Sequence, residues 1–582
     1  MIVAAIVCIL SGTILQCIGA WQDSQTTDEA VHLAAGLSYW QTGDYRLNPE
    51  HPPLIKLLAA RPVRWLTAAS LPFDQISWRT PDQWTFGAQV LYSSYPTLAG
   101  ARTIMMIARI PMILIWLVLA LCLWWLAYHR WGPTAGLLTT VFFVFDPNFL
   151  GHGHLVTTDV AVSLFFLLTI WIADRFFTRP AWSTLGWLIL VFAAAQISKF
   201  SATILWVIIP LLGLIRWADR DNIWSWRWWW RMMAGLVIGT ALVTWLVYGC
   251  EIITPQTPAP IDRLWTDRQG IIAQTSRQNP PNLIQRLAQQ TSPDQPLGRI
   301  VNLTLRGPVP AFSYWRGLMQ TFSHNYFGHT AFLLGQTATH GWWYYFPLAI
   351  FFKLPAVTFS LLIIALLLPL WQMYKPRIYP WSTMFRPSFR WWLWTLPPIF
   401  FLGWSLTSHI NIGVRHIFPV LPFLYLLIGR LATVPRPQWQ RWWLGGLVSA
   451  GGLLILTTGL AWPNTISYYS EFIGGWRQGH RYLLDSNLDW NQDIWRLRKF
   501  LDQQNFSEVH LVLFGSIPID KIFPETQPVL EDWQIQAGQL PTGIVIISAG
   551  QLYNVDGSLH WYRAQPPAWR IGGSIYVYDF RS

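Results

Sequence analysis

Several places in this chain put charge where lipid or its boundary should lie. Asp28 and Glu29 follow an apolar run, 2–20, that is long enough to cross a bilayer. Asp159 closes the stretch Gly151-His152-Gly153-His154 through Thr158 at the end of another apolar run. Lys199 sits in Ser198-Lys199-Phe200, and Arg415-His416 in Gly413 through Pro419, each at the start or turn of an apolar segment. Lys353 lies deeper, in the apolar sequence that follows Tyr345-Phe346-Pro347. Counted along a straight helix it falls roughly 12–16 Å inside the boundary. Ionisable side chains at membrane depth cost free energy and face a cavity or a partner. A carboxylate at a membrane boundary is placed to act as a base. Arginine and lysine beneath it form a phosphate pocket, because the guanidinium grips oxyanions in a fork and the ammonium acts as a point charge. Each residue also has a plainer use. Asp28 and Glu29 are suited to the first turn of a helix capped by Thr27, Thr158 or Asp159 to a cap, and Lys199 to snorkelling.

These residues need a membrane scaffold, and the composition supplies one. Hydrophobic residues make up 53% of the 582, and only 12% are charged, which places the chain among polytopic α-helical membrane proteins. The tryptophans suit aromatic belts at both interfaces. The run length predicts about eleven spans: 2–20, 104–127, 133–149, 157–177, 182–198, 201–217, 232–252, 343–371, 391–408, 414–430 and 443–462. With the N-terminus cytoplasmic, fourteen Lys and Arg from Arg130 to Arg441 fall in short inner connections, and only Lys199 and Arg415 in short outer turns. The net charge of +12 is thus a topology signal and points to no nucleic-acid partner. The first run lacks a basic leader and reads as a retained helix. The expected location is the plasma (inner) membrane.

This orientation predicts a membrane part, 1–462, with outer loops 21–103 and 253–342, and a small outer α/β domain, 463–582, periplasmic or extracellular. The first loop carries two amphipathic stretches, and the second reads as a long loop with short helices over a site. In the third segment, 487–504 has helical character, and 509–514, 543–547 and 574–578 read as strands. Cys8, Cys17, Cys122 and Cys250 fall in predicted spans, so no disulfide or paired-cysteine zinc site is expected. His152 and His154 could ligate a metal, and Asp485, Asp489 and Asp493 would share one helix face. Capping by Asp485 or Ser486 and solvation explain the aspartates better, and no cysteine or carboxylate cluster supports the histidines, so no cofactor is assigned and a divalent cation stays open. Asn302-Leu303-Thr304 matches a glycosylation acceptor.

Together these motifs resemble the polyprenyl-phosphate-sugar-dependent glycosyltransferases of the GT-C superfamily, in character nearest to protein O-mannosyltransferases and lipid A aminoarabinose transferases. The resemblance rests on Asp28-Glu29, Glu50-His51-Pro52-Pro53-Leu54, His152 to Asp159, Ser198-Lys199-Phe200, Tyr344-Tyr345-Phe346-Pro347 with Lys353, Gly413 to His416, and Tyr482 to Trp490. It implies inverting transfer of a sugar from a polyprenyl-phosphate donor to a hydroxyl-bearing acceptor at the outer face, a reaction of cell-envelope or protein glycosylation. Asp28 would be the base, with Glu29 supporting it. Lys199 and Arg415, then Lys353 and His416, would receive the leaving phosphate. His51, Asp159 and Tyr345 complete the implied substrate contacts, and membrane lipid surrounds the whole. The alternative is a transporter or lipid flippase with a charged cavity, which the absence of internal repeats disfavours.

Overall fold

Long apolar helices carry the molecule. The computed structural model describes residues 1–67, 71–93, 97–218, 224–253, 309–374, 389–433, 440–504, 506–515, 517–554 and 557–581. Among them seven helices are long and apolar enough to cross a membrane: Ile2–Gln22, Ala99–Trp131, Asp159–Thr178, Phe200–Ala218, Trp226–Val247, Val414–Thr433 and Gln440–Ala461. Their outward faces are apolar, as lipid requires: Val3, Val448 and Leu460 are each more than 70% exposed. The chain is therefore a helical integral membrane protein.

By length and composition the described residues bear out only some of the about eleven crossings expected. Helix occupies each predicted stretch, but Pro133–Val144 and Trp182–Gln196 are short, and Phe389–Ser405 contains the pair Pro397-Pro398. The stretch 343–371 is not one straight helix. Helices Tyr345–Lys353 and Ala356–Leu368 meet at 120°. Proline disfavours a helical residue before it, and Leu354, which precedes Pro355, is extended (ψ 139°). Counting that pair as one span gives eight. Several cations of the inner-side count, Arg220, Lys375, Arg377, Arg386 and Arg436, lie outside the described residues, as do most of loop 253–342 and Asn302.

Between the first two spans the chain folds into helices Thr27–Thr42, Leu54–Leu66, Ile76–Arg79 and Gln83–Ser93. The first two pack closely: a Cβ on Gly36 would lie 2.1 Å from the Lys56 carbonyl oxygen. That contact fixes the helix whose first turn carries Asp28 and Glu29. Its cap is Thr26 rather than Thr27.

After the last span, 465–493 runs through turns against the membrane helices. Asp485 and Asn491 adopt positive φ (56° and 76°), so helix begins only at Ile494 and ends at Gln503. Asp485, Asp489 and Asp493 accordingly share no helix face. Strands Val509–Val512, Gly543–Ser548, Ile575–Phe580 and Trp569–Ile571 lie side by side in that order. The first pair is parallel and the others antiparallel. Gly543–Ser548 is buried at every position, which suits its unbroken apolar sequence.

Candidate active site

The first turn of helix Thr27–Thr42 aims two neighbouring carboxylates in different directions. Glu29 points into the protein. Arg109 grips it through Nε to Oε1 at 2.9 Å and Nη2 to Oε2 at 2.6 Å, and both side chains are fully buried. The backbone N–H groups of Thr26 and Val156 also donate to Glu29, at 2.9 and 2.8 Å. Burial pushes the Glu29 carboxyl upward, but Arg109 and the backbone donors outweigh it and hold the group below its ordinary value. The other guanidinium N–H groups of Arg109 donate to the carbonyls of Ala20, Asp23 and Ser24.

Asp28 faces a cavity of about 610 Å³. His32, His51, Lys199, His329, Arg415, His416 and Asp485 line it as well. Lys199 follows helix Trp182–Gln196, and Arg415 sits in the 3₁₀ turn Val414–Val420. Asp159, first residue of its helix, lies beneath and pairs with both: Lys199 Nζ donates to Oδ1 at 2.5 Å, and Arg415 Nη1 is 3.6 Å from Oδ2. Arg415 Nη1 also donates to Asp28 Oδ2 at 3.0 Å, its Nε donates to Ser486 Oγ at 3.1 Å, and its guanidinium lies 4.0 Å from the centre of the Trp490 ring. The cations expected to share a pocket with Asp28 do so. Asp28 and Arg415 are in direct contact. In this conformation Arg415 is balanced by Asp28 and Asp159 on either side.

Imidazoles make up much of the rest. His32 and His51 meet edge to face at 5.1 Å, and His324 Nε2 lies 3.2 Å from His329 Nδ1. Burial lowers the His32 pKa, and it lowers that of His51 further, with His32 and Lys199 adding to the effect. Both rings are therefore neutral at pH 7. Among the described residues, His51 Nδ1 and His416 Nε2 have no hydrogen-bond partner. Asp485 differs: burial raises its carboxyl to about 6 despite Arg415 nearby.

Two predicted contacts lie elsewhere. Lys353 does not line the cavity. Its ammonium is fully buried and donates to the carbonyls of Ile466, Tyr468 and Asn487 at 2.9, 2.5 and 2.8 Å. The three N–H groups of the ammonium are thus taken by these carbonyls, and none is left for a phosphate. Tyr345 accepts from Asn487 Nδ2 at 3.2 Å, also outside the cavity. Asp485, His324 and His329 join the site without having been singled out as site residues. His154 contacts Gln16 and Asp23, whereas His152 contacts the Asn148 carbonyl, so the two rings serve separate partners. Among the described residues no group of three or more His, Cys, Asp or Glu side chains is placed to hold a metal ion.

No protein-family model and no curated protein matches the chain. Among solved structures, ArnT from Cupriavidus metallidurans bound to undecaprenyl phosphate aligns over 98% of this chain and 97% of its own, at 11% identity and a TM-score of 0.40. The same protein in the apo state aligns over the same shares at 12% identity and a TM-score of 0.45. At such values the chemistry of the cavity rests on its own residues.

Proposed function

We propose that this protein is a polyprenyl-phosphate-sugar-dependent glycosyltransferase that inverts the anomeric centre, with Asp28 as its general base. The observation that carries this reading is the convergence of Asp28, Lys199 and Arg415 on one cavity from three distant parts of the sequence. A carboxylate and two cations side by side suit a reaction that removes a proton at one end of a substrate and releases phosphate at the other. The donor phosphate engages Lys199 and Arg415, and Arg415 exchanges its contact with Asp28 for one with the phosphate. Asp28, so freed, takes the proton of an acceptor hydroxyl. The acceptor oxygen attacks the anomeric carbon from the face opposite the phosphate. The bond from that carbon to the phosphate oxygen breaks, and polyprenyl phosphate leaves with the electron pair. No general acid is required, because the phosphate leaves as an anion stabilised by the two cations. The site opens on the outer face, the N-terminus is cytoplasmic, and residues 463–582 form the external domain.

The test is sugar transfer from a synthetic polyprenyl-phosphate sugar in proteoliposomes, with product configuration read by NMR. The reading requires an inverted product and loss of turnover in Asp28→Asn with the protein still folded. Full turnover in that variant removes Asp28 from the role. Uptake of a solute without transfer favours a transporter.

A further inference from the structure

A second cavity, of about 530 Å³, lies where the turn Trp476–Arg481 meets the strand pair Trp569–Ile571 and Ile575–Phe580. That volume suits a small ligand. Arg477, Arg481, Arg563 and Arg570 all line it, and no Asp or Glu among the described residues does. None of the four forms an ion pair among the described residues. In place of carboxylates they have π-faces and carbonyls. Arg570 lies 4.4 Å from the Tyr576 ring centre, its cross-strand neighbour. Arg563 donates to the carbonyls of Leu552 and Asn554, at 2.7 and 2.8 Å. Such contacts offset little of the repulsion among four like charges. Burial, with Arg570 and Arg481 adding, lowers the His480 imidazole to about 4, in keeping with a strongly positive enclosure.

We propose that this cavity is an anion site for a sugar that carries a phosphate or carboxylate group. The charge calls for an oxyanion, which arginine holds in a fork. The rest of the lining calls for a polyol. Arg570 covers one face of Tyr576, and the neutral His480 ring stacks on Tyr553 at 4.3 Å. Gln478 and Gln565 offer the paired donors and acceptors that hydroxyl groups use. This site does not depend on the transferase reading, since it shares no lining residue with the cavity of Asp28.

The full chain in detergent is titrated with glucose 1-phosphate, glucose and inorganic phosphate by calorimetry. Glucose 1-phosphate is expected to bind more tightly than either fragment. Arg481→Gln/Arg570→Gln should weaken it about tenfold or more, while Arg415→Gln leaves this isotherm in place. Should the double variant lose its thermal transition, Arg481→Gln alone, at an exposed position, is read instead. Nanodiscs containing phosphatidylinositol 4-phosphate separate two sources of the same chemistry. Competition there, absent with neutral phosphatidylcholine, assigns the ligand to a lipid headgroup. Unchanged binding assigns it to a soluble sugar. Three results overturn the proposal: no binding, inorganic phosphate bound as tightly as the sugar phosphate, or an isotherm lost with Arg415→Gln and kept in Arg481→Gln/Arg570→Gln.

Discussion

Asp28 and Glu29 are neighbours in sequence, yet they belong to two ion networks of opposite design. Around Glu29 every charge is paired within the protein. Arg109 binds it in a fork, and nearby Asp23 receives His154 and Arg496. Arg496 in turn pairs with Asp493, which accepts from Ser574 Oγ and Gly573 N. This network ties the segment between the first two spans to the turn before the last strand. Around Asp28 the charges border a cavity, two imidazole nitrogens lack a partner, and one cation is shared between two carboxylates. The first network is complete and holds the fold. The second can exchange its contacts, which a substrate must make it do.

The comparison can be broken most sharply at the two carboxylates. Asp28→Asn should lower turnover about 10²- to 10⁴-fold, the usual worth of a positioned base. Its melting temperature should hold, and donor affinity should rise as Arg415 loses its competitor. Arg109→Leu should do the reverse. It strands a buried carboxylate and should cost about 3–5 kcal/mol, read as a lower melting temperature in detergent, and Glu29→Leu/Arg109→Leu should recover most of that loss. If Arg109→Leu instead abolished transfer without loss of stability, the two networks would be one. Lys199→Ala and Arg415→Ala should each weaken donor binding roughly 10- to 150-fold, from charged hydrogen bonds of about 1.5–3 kcal/mol, measured by titration of polyprenyl phosphate. The smallest effect concerns pH. Asp485 has a carboxyl raised to about 6, so the folded chain takes up a proton there as pH falls through that value. The raised group weakens stability progressively as pH rises from the ordinary carboxylate range through about 6. The cavity has one negative charge fewer below about 6, so donor phosphate should bind better there. That dependence should vanish in Asp485→Asn. Asp489 is also raised to about 6 by burial, but it does not line the cavity, and Asp489→Asn should leave the binding profile unchanged.

The gathering of Asp28, Lys199 and Arg415 was legible because all three sit at the same ends of apolar runs. Sidedness alone brings such residues to one boundary. The separate fate of Glu29 was not. Thr26 and Glu29 do have the spacing of a capping box, but the partner that buries Glu29 is 80 positions away and looks like any charge in an apolar run. Lys353 was misplaced because the carbonyls that hold it come from residues 466–487, more than a hundred positions away, and no local pattern marks them. The recurrence of Asp485, Asp489 and Asp493 suggested a helix face, and two residues at positive φ removed the helix. Strands 509–514, 543–547 and 574–578 were found within a residue or two, since buried β-branched runs between turns have few other uses.

Lys353 has one further consequence. Its amine touches no solvent, and its three acceptor carbonyls all belong to the stretch Ile466 to Asn487 that leads from the last span to the C-terminal sheet. An acylating reagent can reach that nitrogen only when the stretch lifts away. The rate at which Lys353 becomes acetylated, followed by peptide mass spectrometry, is thus a clock for detachment of the C-terminal segment from the membrane helices, with exposed Lys499 on the same chain as its internal reference.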